Sequence, residues 1–153
     1  MDSLIYEDTP HYGIWMKAFM VTPLALAFFL GLEFLKTNDT EGIVTLLSTI
    51  ALMFVAFWVI FPRKYCILDS KIKIVLGKPL SFSISFKTIE TARVPQGLAL
   101  GINFATSFSA KDSVEIVRKR RLNVNITPSN PELFIANLDK ALTAWKGYTS
   151  KDL

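Results

Sequence analysis

The sequence predicts a membrane α+β fold: an N-terminal transmembrane α-hairpin, then an antiparallel β-sandwich or barrel closed by a C-terminal amphipathic helix. Three observations lead there. Residues 14–35 and 42–61 are two apolar stretches, each about 20 residues, the length that crosses a hydrocarbon core of about 30 Å. After Pro62 the hydrophobic period changes from helical to two. A final apolar stripe at helical spacing ends the pattern.

Composition divides the chain at the same boundary. Of its 153 residues 51% are hydrophobic, and the mean hydropathy is +0.37, high for a soluble protein. Residues 1–62 carry two basic side chains (Lys17, Lys36) against six acidic ones, a net of −4. Residues 63–153 hold the other fifteen basic side chains with seven acidic, a net of +8.

Residues 1–13 read as an acidic N-terminal tail. In the first span, Ile14 to Leu35, the only charges are Lys17 and Glu33, close to its two ends; the second, Gly42 to Phe61, has none. The 91 residues after position 62 could hardly cover two such helices in water. The polar connection 36–41 is too short to be a domain, so the spans form an antiparallel hairpin with both termini on one side. Arg63 and Lys64 follow the second span immediately, and basic flanks favour the cytoplasm, so residues 63–153 are assigned to a cytoplasmic domain of a multi-pass cell-membrane protein. Tyr12 and Trp15 open the first span while Trp58 and Tyr65 close the second, which puts four interfacial anchors at one membrane face. Pro23 inside the first span removes a helical donor and predicts a kink. The small hydroxyls Thr22, Thr45, Ser48 and Thr49 are expected to bond back to their own or a neighbouring helix, and only an oligomer of such hairpins could form a transport or channel component.

In the following domain, Tyr65 to Leu68 reads as a strand. Lys71 to Leu76 and Ser81 to Phe86 alternate polar with apolar across a Gly77-Lys78-Pro79 turn, a hairpin with one buried face. Thr88–Val94, Asn103–Ser109, Val114–Lys119 and Leu122–Ile126 have strand character. Thr127 to Glu132 then carries helix-start chemistry: Ser129 or Asn130 as N-cap, Pro131 in the first turn, Glu132 favourable to the dipole. Phe134, Leu138, Ala141, Leu142 and Trp145 form one stripe, with Gly147 as C-cap.

Short strands followed by one amphipathic helix is the order of a pleckstrin-homology (PH) fold. Residues 121–138, above all Ile-Thr-Pro-Ser-Asn-Pro-Glu-Leu-Phe (126–134), resemble the closing strand and helix start of bacterial PH-like domains of small membrane proteins. Phe-Pro-Arg-Lys-Tyr (61–65) running into Ile-Lys-Ile-Val-Leu-Gly (72–77) is similar to their junction and first hairpin. The resemblance implies two transmembrane helices directly before a PH-like domain, and it transfers no catalytic residues.

The sharpest charge feature is Arg118-Lys119-Arg120-Arg121, at a predicted turn. Three uses are open: contact with anionic lipid headgroups together with Arg63 and Lys64, a solvated hairpin tip, or protein docking. The cluster lacks the wider basic stripe and stacking aromatics of nucleic-acid binders. The apolar stretch Pro95 to Gly101 either reaches a partner or membrane or folds back on the domain. Asp112 and Glu115 are read as solvated surface. One cysteine, Cys66, and one histidine, His11, provide neither a disulfide framework nor a multi-cysteine metal site. No cofactor and no enzymatic activity are therefore expected. The expected role is an interaction module or accessory subunit of a larger membrane complex, with a membrane-protein partner or a second copy, or alternatively an anionic-lipid sensor or scaffold.

Overall fold

The computed structural model describes residues 3–95, 101–107 and 109–149. Strand β1 (Leu4–Asp8) precedes helices α1 (Ile14–Thr37) and α2 (Thr40–Ile60). Strands β2 (Lys64–Leu68), β3 (Lys71–Val75), β4 (Ser81–Ser85), β5 (Ile89–Arg93), β6 (Ile102–Phe104), β7 (Val114–Arg118) and β8 (Val124–Ile126) follow, then helix α3 (Pro131–Thr149).

The two apolar helices are longer, and their connection tighter, than the sequence pattern suggests. Lys36 pairs with Glu33 at 2.8 Å and the Thr37 hydroxyl donates to the Glu33 carbonyl, so the last polar residues extend α1. Asn38 adopts the left-handed conformation (φ 52°) and the Asp39 carboxylate accepts the Gly42 N–H as N-cap of α2. Only Asn38 and Asp39 separate the helices. Pro23 lies within α1 without ending it. Thr22, Ser48 and Thr49 donate to the carbonyls of Ala18, Val44 and Thr45, each one turn back.

Both helices are long and apolar enough to cross a membrane. Only Ala27 of α1 and no residue of α2 is buried. Most of the exposed large hydrophobic side chains among the described residues lie on this pair, Phe19, Leu26, Phe28, Leu47 and Leu52 among them. Each would gain roughly 1.5–3 kcal/mol on leaving water.

The remainder is a two-layer sandwich. One sheet has the order β1-β2-β3-β4 and is antiparallel throughout. The other has the order β5-β7-β8-β6, with β6 parallel to β8. The sheets are separate, so the strands do not close into a barrel. Nor are residues 1–13 a free tail: Leu4–Asp8 is the edge strand of the first sheet, Asp8 opposite Tyr65 and Leu4 opposite Leu68. The helical hairpin is therefore inserted between two neighbouring strands of one sheet.

Period two is fulfilled in β3 and at Ile84 of β4, but not over 122–126, where Leu122 is 67% exposed ahead of β8 and Asn125 is buried, nor at Val94, which is exposed. Ile72, Ile74 and Ile84 are fully buried, and Val114, Ile116, Val124 and Ile126 face them from the second sheet. Helix α3 packs on β1, β2 and β5 and adds Phe134, Leu138, Ala141 and Leu142 to the same core. Asn130 is its N-cap, accepting the Leu133 N–H at 3.0 Å. Gly147 is not the C-cap: the helix runs on to Thr149. Of the strand expected over 103–109, with Phe108 outside the described residues, the structure has Ile102–Phe104, after which the Thr106 carbonyl accepts the Gly13 N–H of the segment leading into α1.

Candidate functional site

Among the described residues, the connections between the helical hairpin and the sandwich lie at one end of the strands. Before α1, the His11 N–H donates to the Thr127 carbonyl at 2.8 Å and the Gly13 N–H to the Thr106 carbonyl at 2.9 Å. The Thr106 hydroxyl donates to the His11 carbonyl at 2.6 Å and lies 2.7 Å from the Thr127 hydroxyl. After α2, the Arg63 N–H donates to the Val75 carbonyl, and the Tyr12 hydroxyl donates to the Pro62 carbonyl at 2.8 Å. Gly77, in the β3–β4 turn, lies so close to the end of α2 that a Cβ there would collide with the Trp58 carbonyl. Both chain crossings are thus fastened to the same end of the sandwich, which we term the helix-proximal end.

The predicted interfacial residues divide. Trp15 and Trp58 are 74% and 53% exposed on the helices, and Tyr12 is half-buried. Burial pushes the Tyr12 phenol up, against the lowering pull of the Arg63 charge. Tyr65 is no anchor: it is fully buried in the core, edge-on to Phe134, with its hydroxyl donating to the Phe104 carbonyl. Burial pushes its pKa up to about 12. It shares the inner face of β2 with Ile67, so the strand's period overrides the interfacial tendency of tyrosine. Lys64 pairs with Glu7 at 2.6 Å, whereas the Arg63 guanidinium stacks 3.5 Å over the Trp58 ring and makes no ion pair among the described residues.

The basic cluster occupies the opposite end. Val114 is registered with Ile126, next to the fastened Thr127, and β7 then runs away from the helices to Arg118. Four residues at about 3.3 Å each separate the two by about 13 Å. Lys119, Arg120 and Arg121 are exposed in the β7–β8 turn, with Arg120 left-handed at φ 50°. Arg118 departs from the expected cluster: it is only 8% exposed, because period two carries Val114 and Ile116 inward and Arg118 with them. Its Nη1 reaches the Leu122 carbonyl at 3.5 Å, and its Nε has no partner among the described residues. Burial and the neighbouring Arg121 charge pull its pKa down. The structure does not bring Arg63 and Lys64 together with residues 118–121.

Glu115, expected at the surface, is buried. Its carboxylate accepts Arg93 Nε and Asn123 Nδ2, both at 2.8 Å. Burial raises its pKa, but those hydrogen bonds and the Arg93 charge outweigh it and hold the group below the usual range. Asp112 instead accepts the Ser107 hydroxyl at 3.0 Å. Burial pushes the Cys66 thiol up, the opposite of an activated nucleophile. Among the described residues no group of His, Cys, Asp or Glu could hold a metal ion. Within the apolar stretch 95–101, Pro95 is buried and residues 96–100 lie outside the described residues.

Two open grooves flank the helix-proximal end. One, of about 540 Å³, lies between Met20, Val21 and Leu24 of α1 and Phe54 and Phe57 of α2, and ends at Arg63. The other, of about 610 Å³, has only Trp15, Met16, Ala18, Phe19, Thr22 and Phe61 as walls. The Thr106–Thr127 fastening carries no sequence signal, since hydroxyls after short strands are common. The inward position of Arg118 could have been found from the alternation of Val114, Ile116 and Arg118. Comparisons with protein-family models, with curated proteins and with solved structures found no match to this chain.

Proposed function

We propose that this chain is a non-enzymatic, membrane-anchored interaction module, an accessory subunit that offers a PH-like domain to a protein partner at the cytoplasmic face of the cell membrane. The hairpin crosses the bilayer, where its unburied apolar surface is solvated by lipid and its backbone is satisfied within each helix. The basic flank at Arg63 favours a cytoplasmic sandwich. An antiparallel four-strand sheet, a second four-strand sheet and one closing helix support the PH-like reading, modified by the hairpin inserted after β1 and by the parallel strand β6.

A single observation favours a protein over the bilayer as the target of residues 119–121: the turn is at the end of the sandwich opposite every connection to the helices. With the helices in the membrane, that end points toward water. The three exposed cations Lys119, Arg120 and Arg121 in one turn suit an acidic protein surface.

A photoreactive residue in place of Leu122, 67% exposed in the same turn, tests this in native membranes. The expected result is a discrete protein adduct that disappears when Lys119, Arg120 and Arg121 are changed to Ser. Lipid adducts at Leu122, or a protein adduct indifferent to those changes, would refute it.

A further inference from the structure

We propose that the groove ending at Arg63 is a binding site for one anionic phospholipid of the adjoining leaflet, its phosphate on the Arg63 guanidinium and an acyl chain between α1 and α2. This rests on the reading that the helices cross a bilayer. The apolar walls, Met20, Val21 and Leu24 on one side and Phe54 and Phe57 on the other, come from helix surfaces that face hydrocarbon. At the sandwich end the lining turns polar, with Thr9 and Arg63, so the groove has the polarity of a lipid: apolar along the helices and cationic where the helices meet the domain.

Charge selects the headgroup. Of the two basic residues at the junction, Lys64 is neutralised by Glu7. Arg63 has no carboxylate partner among the described residues and is held in place by stacking on Trp58. The Tyr12 hydroxyl is already spent on the Pro62 carbonyl. The unspent donors at the mouth therefore belong to a fixed guanidinium fork, whose geometry matches two phosphate oxygens. The second groove provides an internal contrast. It also includes Phe61 and is of similar size, but no charged side chain lines it, so it offers acyl chains space without headgroup preference.

The test uses the full chain in lipid nanodiscs with Trp15 and Trp145 changed to Phe, leaving Trp58 as the reporter beneath Arg63. Phosphatidylglycerol with brominated acyl chains, as a minor component in phosphatidylcholine, is compared with brominated phosphatidylcholine at the same fraction. Trp58 should be quenched by the anionic lipid with an apparent affinity about fivefold greater, the ratio that about 1 kcal/mol per interfacial cation produces. Arg63→Gln should abolish the preference, and Arg63→Lys should keep only part of it. Equal quenching by the two lipids, or a preference that survives Arg63→Gln, would overturn the site while leaving the membrane reading intact. No quenching by either lipid would overturn both.

Discussion

Replacing Thr106 by Val removes one hydroxyl at nearly constant volume from the fastening between α1 and the sandwich. That hydroxyl donates to the His11 carbonyl at 2.6 Å and shares a 2.7 Å contact with the Thr127 hydroxyl, on a residue with no exposed surface. Losing the net contribution of one hydrogen bond costs about 1 kcal/mol, and leaving the part-buried partners short adds about 1–2 kcal/mol more. A total of about 2–3 kcal/mol corresponds to roughly 30- to 150-fold in the opening equilibrium of residues 11–13. Amide hydrogen exchange in detergent micelles reads this directly, because the His11 and Gly13 amides donate to Thr127 and Thr106. Both should exchange faster by about that factor, while Thr106→Ser, which keeps the hydroxyl, should stay close to the parent. If Thr106→Val left both amides as protected as before, the fastening would not depend on this hydroxyl and the reasoning would fail.

Gly77→Ala forces a methyl into the Trp58 carbonyl; overpacking of this kind costs about 1–3 kcal/mol, read as a lower thermal midpoint with altered Trp58 emission. An unchanged midpoint would mean that the turn and α2 separate freely. Burial pushes the Tyr65 pKa up from the ordinary 10.0 to about 12. Its raised pKa favours the protonated folded state, so its contribution is intact below pH 10 and falls as the pH rises toward 12, by about 3 kcal/mol in all. Alkaline unfolding of Tyr65→Phe should lack that component; an identical pH dependence would contradict the burial argument. Gly147 lies inside α3 with open space at its Cβ position, so Gly147→Ala should raise the thermal midpoint by the equivalent of about 0.5–1 kcal/mol. A lower midpoint would count against it.

The pattern in the chain is most legible where one physical demand dominates. Two long apolar stretches without interior charge are legible as two helices long enough to cross a membrane, and the alternation of Ser81 to Phe86 marks strand β4 with Ile84 on its buried face. Leu4–Asp8 was illegible because an edge strand need not alternate: Leu4 and Ile5 are both exposed, and the segment is held by its pairing with Leu68 to Tyr65, some sixty residues away. For β6 the strand itself was read, over 103–109, but its early end at Phe104 and its parallel pairing with Val124–Ile126 carry no local signal. Tyr65 misled because an aromatic residue beside a span suits the interface and a core equally well; only its place in β2 decides. In the basic cluster, adjacency in sequence concealed that Arg118 turns inward while Lys119 to Arg121 turn outward, and nothing local told which end of the sandwich they occupy.

The central claim is that the helices cross the bilayer and hold the sandwich with its 119–121 turn away from the membrane. A spin label tests it when placed at Leu122 or at Lys78, both exposed, in a Cys66→Ser background. The bilayers carry a paramagnetic nickel headgroup lipid. The label at 78, in the turn packed on the end of α2, should relax strongly and the label at 122 should remain near its value in water. Equal relaxation at both positions would contradict the account.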